Sequence, residues 1–144
     1  MIPQADPSAF VRSHRLEIDA AIARVLDSGR YIGGPEVESF ERAFATYLGT
    51  TDAVTVASGT EALYLALWAI GVGPGDEVVL PALSATATAA AVHQTGARPV
   101  FVDVRDADLT LDPARVAEAI TPRTRAILPV HLYGQPADLP ALRE

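Results

Sequence analysis

Between residues 7 and 28 the apolar positions Phe10, Leu16, Ile18, Ile22, Val25 and Leu26 recur among charged residues at mostly helical spacing. Ser28-Gly29 closes the run where a C-cap is expected. The spacing predicts one amphipathic helix. A Gly-Gly-Pro turn follows in "RYIGGPEVESFERAFATYLGT", and Val37, Phe40, Phe44 and Tyr47 then repeat every three or four residues. This second helix is expected from Glu36 to Leu48, with Gly49 as its stop.

Beyond Gly49 the pattern changes. Short β-branched runs at Ala53–Ala57, Glu77–Leu80, Pro99–Asp103 and Arg125–Val130 alternate with Gly59–Ile70, Ala85–Gln94 and Pro113–Ile120, which are helical by composition and length. Such alternation implies right-handed crossovers and an α/β fold, a mainly parallel sheet with helices on both faces. A single domain is expected overall, with an N-terminal helix and turn over 1–35 and the sheet-bearing part over 36–144. After Asp138 a new helix begins and runs to the last residue within about two turns, so the sheet is expected to leave apolar surface for something else to cover.

Composition narrows the partners. The 144 residues are 49% hydrophobic and 20% charged, the balance of a packed domain and not of a disordered chain. A net charge of −7 makes nucleic acid and anionic membrane surfaces poor partners. Cysteine is absent, which removes disulfides and thiol nucleophiles. The opening "MIPQADPSAF" has no basic segment followed by an apolar one, and no apolar run is long enough to span a bilayer, so a cytoplasmic protein is expected. His14, His93 and His131 have no ligand spacing, and no metal is expected. His131, beside apolar residues in "PVHLYGQ", reads first as a structural group.

The chemistry-bearing stretch is "TVASGTEALYLAL", Thr55 to Leu67, where an apolar run passes through Ser-Gly-Thr into a helix. Ser58 followed three residues later by Glu61 fits a capping box, in which each residue satisfies a free amide of the helix start. The same turn, placed after a strand and with Gly59 permitting close approach, offers free amides and the positive end of a helix dipole to an anion, suiting phosphate. Neither Gly-x-x-x-x-Gly-Lys nor a Gly-x-Gly-x-x-Gly opening a helix is present; "GVGPGDE" enters a strand instead. Asp76 and Glu77 in that stretch read as solvated or capping residues.

Taken in order, "YIGGPEVESFERAFATYLGT", "VASGTEALYLAL", "GVGPGDEVVLPALSATATAAAV", "GARPVFVDV" and "RTRAILPVHLYGQPADLPAL" resemble the amino-terminal part of the DegT/DnrJ/EryC1/StrS family. The resemblance runs from about Asp27 onward. It implies part of the large domain of a fold-type-I enzyme dependent on pyridoxal 5'-phosphate (PLP), aminating nucleotide-linked keto sugars with an amino-acid donor, as a homodimer. By the same resemblance Ser58, Gly59 and Thr60 would hold the cofactor phosphate, the Tyr31, Gly33 and Gly34 turn would border the sugar site, and His131 would match a position near the active-site floor. In the family an aromatic ring lies on the pyridine at the position where this chain has Ala85. Alanine cannot stack, and Thr86 and Thr88 are the neighbours that could compensate.

PLP catalysis also needs a lysine to carry the cofactor as a Schiff base and an acid to pair with the pyridine nitrogen. The chain has eleven arginines and no lysine, and a guanidinium is a poor nucleophile. No catalytic residue is therefore expected within these 144 residues, and the chain alone is expected to be inactive. The alternatives are a truncated, non-catalytic α/β binding module and an unrelated nucleotide-binding α/β domain.

Overall fold

The computed structural model describes residues 5–144. Residues 1–4, where the opening stretch and the expected 1–35 unit begin, lie outside the described residues. The chain divides into two compact units, one reaching to Thr55 and the other spanning Val56–Glu144.

In the first unit, α1 (Pro7–Ser13) and α2 (Arg15–Ser28) replace the single helix expected over 7–28. The break is at His14 (φ −116°, ψ 19°), whose ring stacks on Phe10 with centroids 4.3 Å apart. Its Nδ1 reaches the Phe10 carbonyl at 3.1 Å, adding to the His14 amide at that same oxygen, a side-chain competitor for the helix ladder. Gly29 ends α2 as expected, in the left-handed region. The following turn depends on glycine, since Gly33 and Gly34 have φ of 67° and 97°, a region that costs an L-residue with a Cβ. It leads into α3 (Pro35–Leu48), where Phe40 and Phe44 stack at 5.4 Å and Arg24 of α2 pairs with Glu36 at 2.7 Å.

The strand expected over Ala53–Ala57 does not form among the described residues. The Thr55 amide, which a ladder neighbour would otherwise accept, donates to Glu41 Oε1 of α3 at 2.8 Å, and the Thr55 hydroxyl donates to the same oxygen at 2.8 Å. These two bonds hold the Glu41 carboxyl below the usual carboxylate range, the Thr55 amide being the larger cause.

The second unit holds α4 (Gly59–Ala69), β1 (Glu77–Pro81), α5 (Thr86–Gln94), β2 (Arg98–Val102), α6 (Pro113–Ala119), β3 (Thr124–Ile127), a 3-10 turn at Leu132–Gly134 and α7 (Leu139–Arg143). The strands form a parallel sheet in the order β2-β1-β3, with Val79 opposite Val100 on one side and Ile127 on the other. Alternation along β1 fills both faces. Val78 and Leu80 pack with Leu67, Val72, Val92 and Ala97 beneath α4 and α5, while Val79 packs with Val102, Leu111 and Val116 beneath α6. The α/β architecture with helices on both faces is that expected from the alternation.

Glu77 corrects the expectation of a solvated group. Its side chain is 1% exposed, and Oε1 accepts from Arg98 Nη2 at 2.7 Å and from Arg123 Nη2 and Nε at 2.8 and 3.0 Å. Oε2 accepts from the Thr121 hydroxyl at 2.7 Å. One carboxylate on the central strand thus joins residues at the amino ends of both flanking strands, the arrangement under which a buried charge is tolerated. The Thr121 hydroxyl, then Arg123 and Arg98, hold its pKa down from 4.5 to about 2.

A folded-state pKa below the unfolded one adds stability that is present in full above the unfolded value and is lost as pH falls through the folded one. Glu77→Gln is therefore expected to lower the melting temperature by several degrees at neutral pH, with the gap to wild type closing between pH 4.5 and about 2. Melting curves over that range check it; equal melting temperatures at neutral pH would count against the clasp.

Candidate functional site

Ser58 stands in extended backbone (φ −160°, ψ 163°) immediately before α4. Its Oγ accepts from the Glu61 amide at 3.2 Å and its carbonyl from the Ala62 amide at 2.9 Å. The cap is therefore formed on the serine side, while no reciprocal bond from the Glu61 carboxylate occurs among the described residues. The Gly59 and Thr60 amides belong to the first turn and have no intrahelical acceptor by geometry. No other protein atom accepts from them among the described residues, and the Thr60 hydroxyl is likewise without a partner.

The space above the turn is open. A Cβ built at Gly59 meets nothing within 4 Å, and Gly59 does not adopt the left-handed region, so room outside the backbone and not strain accompanies glycine here. Ser58, Thr60, Glu61, Tyr64 and Gln94 line an open cleft of about 480 Å³. Tyr64 and Gln94 were not singled out by the sequence; Tyr64 lies one helical turn past Thr60, whereas Gln94 comes from α5 and had no local signal. Two free amides at the positive end of an eleven-residue helix can bind a phosphate-sized anion, and none of the described residues fills the place it would take.

α4 leads into the amino end of β1 and α5 leaves its carboxyl end, so the two helices, packed side by side, both begin toward the carboxyl edge of the sheet. In an open α/β sheet that edge is where ligands bind. Ala85 sits immediately before α5 in extended backbone (φ −63°, ψ 143°), exposed and with no side-chain capping hydrogen bond, its carbonyl accepting from the Thr88 amide at 3.0 Å. Thr88 is not free to compensate for a missing ring: it is 5% exposed, and its hydroxyl is 2.7 Å from that of Ser84. Thr86 is exposed.

Tyr31, Gly33 and Gly34 belong to the first unit. Tyr31 is 68% exposed, and Gly34 is buried with the Arg30 side chain 3.5 Å from where its Cβ would stand. His131 has the structural contact its surroundings suggested, since its Nδ1 lies 2.9 Å from the Ala137 amide. Among the described residues no helix is long and apolar enough to cross a membrane.

Comparison with known proteins places this geometry. Residues 13–144 match the model of the DegT/DnrJ/EryC1/StrS aminotransferase family. A Streptomyces venezuelae relative, a dTDP-3-amino-3,4,6-trideoxy-alpha-D-glucose transaminase, is 57% identical over 99% of this chain and 38% of its own length. The crystal structure of S. venezuelae DesV in complex with a ketimine intermediate superposes with a TM-score of 0.94 at 57% identity, over 99% of this chain and 38% of that one. The structure of ntda from Bacillus subtilis with bound cofactor PMP superposes at 0.87 with 40% identity, over 91% and 30%. The chain thus spans well under half the length of the proteins it matches. It belongs to the DegT/DnrJ/EryC1/StrS aminotransferase family.

Removing the Ser58 hydroxyl leaves the Glu61 amide without its cap. Ser58→Ala is expected to destabilise the folded protein by about 1 kcal/mol, read from denaturant titration. An unchanged midpoint would mean that water replaces the cap without cost.

Proposed function

We propose, from membership of this aminotransferase family, that the protein containing this chain is a PLP-dependent enzyme transferring an amino group from an amino acid, glutamate or glutamine, to a nucleotide-linked keto sugar. The observation that carries the reading is the pair of open amides at Gly59 and Thr60, facing empty space at the start of α4. They fit a phosphate monoester dianion, the anchor that PLP presents. The dTDP-linked amino sugar in the name of the Streptomyces relative makes a dTDP-linked hexose the first substrate class to try.

When bound, PLP supplies the electron sink that lets an amino group pass between an amino acid and a keto carbon. The residues of this chain bind and orient. Gly59 and Thr60 would donate backbone N–H groups to the phosphate and the Thr60 hydroxyl would add a third donor, while Ser58 keeps the turn in shape through its bond to the Glu61 amide. Negative charge at this position is favoured further by the helix dipole. Ala85 would offer the ring a methyl group only, and Tyr31, Gly33 and Gly34 would border the sugar. The lysine that holds the cofactor and the acid that pairs with its ring nitrogen come from another part of the protein, as the 144 residues include no lysine. The stretch alone is inactive, and the intact protein works as a homodimer.

Thr60→Ala in the full-length protein is expected to weaken PLP binding about tenfold, on the scale of a hydrogen bond to a charged group, while leaving pyridoxal, which lacks the phosphate, unaffected. Equilibrium dialysis of both compounds checks it. Equal loss for the two compounds, or none for either, would remove the phosphate role of the turn.

Ala85→Phe is expected to tighten PLP binding, since ring stacking contributes about 1 kcal/mol and the position is exposed with backbone angles open to any residue. A roughly fivefold lower dissociation constant is the predicted outcome. Unchanged or weaker binding would place the ring elsewhere.

A further inference from the structure

The amino edge of the sheet, opposite the one toward which α4 and α5 begin, holds an arrangement of charge that the cofactor reading does not use. Arg98 opens β2 and Arg123 stands just before β3, on opposite sides of β1, yet both donate to one oxygen, Glu77 Oε1. Their Nη2 atoms lie 2.7 and 2.8 Å from it, so two guanidiniums are set side by side against a single negative charge. The buried carboxylate is satisfied, but the three groups together carry one surplus positive charge. Like charges held this close repel, and an added anion relieves the repulsion.

The two guanidiniums are also free to receive one. Arg98 uses only Nη2 on Glu77, and Arg123 uses Nε and Nη2. Arg98 Nε and Nη1 and Arg123 Nη1 therefore have no acceptor among the described residues, and the two side chains are 67% and 63% exposed. A surface arginine ordinarily loses rotamer freedom on binding an anion, whereas here the buried carboxylate has already fixed both. With Asp76 and Gly96 they line an open cleft of about 420 Å³. Gly96 keeps its wall bare, since it lies at φ 83° and a Cβ there would stand 2.9 Å from Pro74 Cγ. Asp76 is the opposing charge in the cleft. Its Oδ2 accepts from the Gly73 amide at 3.0 Å, and it forms no ion pair with either arginine among the described residues.

We propose that this cleft is an oxyanion site, in which Arg98 and Arg123 donate from their free N–H groups to a phosphate-sized anion and so join the entrances of β2 and β3 a second time. The site is independent of the aminotransferase reading, and it lies at the edge opposite the Gly59 and Thr60 amides. Planar guanidinium forks suit the paired oxygens of such an anion.

The test uses the full-length protein saturated with PLP and calorimetric titration with inorganic phosphate, against sodium chloride of equal ionic strength. Wild type is expected to bind phosphate saturably and to melt at a higher temperature in its presence. Arg98→Gln, which can still donate to Glu77, is expected to weaken phosphate binding about tenfold, the scale of a hydrogen bond to a charged group. Asp76→Asn, which keeps an acceptor for the Gly73 amide and removes the opposing charge, is expected to bind phosphate more tightly than wild type. Arg115→Gln, at an exposed arginine of α6 outside the cleft, is expected to bind as wild type does. Phosphate binding that is unchanged in Arg98→Gln, or a response that sodium chloride reproduces, would overturn the proposal while leaving the aminotransferase reading in place. Binding that survives Arg98→Gln and is lost in Thr60→Ala would assign the anion to the start of α4 and overturn it as well. If Arg98→Gln does not fold, Asp76→Asn decides, because the clasp is intact there: tighter binding supports the site, and unchanged binding refutes it.

Discussion

The carboxylate of Glu77 is the constraint around which the sheet is organised. A parallel sheet needs its strands brought together in register by crossovers that are remote in sequence, and here the central strand carries a buried charge that is satisfied only when both neighbours are in place. Arg98 arrives with β2, and Thr121 and Arg123 arrive just before β3. With any of them displaced, an anion would remain in a nearly waterless position, which is costly. The irregularity in the β1–β3 register between Glu77 and Val78 lies at the same place. The clasp thus ties the strand order β2-β1-β3 to one side chain at the amino edge.

The opposite edge carries none of these ionic contacts. Glu77 and its partners hold the amino ends, and the apolar residues of β1 fill both faces. The loops beyond Pro81 and Ile127 and the start of α4 are thereby carried on a fixed frame. The open amides of Gly59 and Thr60 and the small Ala85 stand on this side, the side where open α/β sheets receive ligands. Binding groups gain from such a frame because their geometry is set before the ligand arrives, so less of the binding free energy goes into ordering them.

The surface of the described residues also carries apolar groups that a separate domain would ordinarily bury. Trp68 is 64% exposed on α4, Phe101 55% on β2 and Val54 81% in the extended run before Ser58. The chain covers 38% of the Streptomyces relative's length, and this exposure is in keeping with such partial coverage.

Local features were legible in the residues. Helical spacing, the Gly29 and Gly49 stops, the Ser58 cap and the strand–helix alternation depend on interactions within a few positions, so element types and the α/β class followed from the sequence. Ordered motifs carried the family, which the match over residues 13–144 shows. Long-range chemistry was not legible. Glu77 in "GDEVVL" looks like any charge at a strand entrance, and its burial depends on groups 21, 44 and 46 positions away. The Ala53–Ala57 run has strand composition, yet its Thr55 amide goes to Glu41, 14 residues earlier. The contact of His131 depends on a backbone amide presented by a loop that closes back on the ring. Propensity and pattern act through near neighbours along the chain, whereas the protonation, burial and hydrogen-bond partner of a side chain depend on neighbours in space, which exist only after folding.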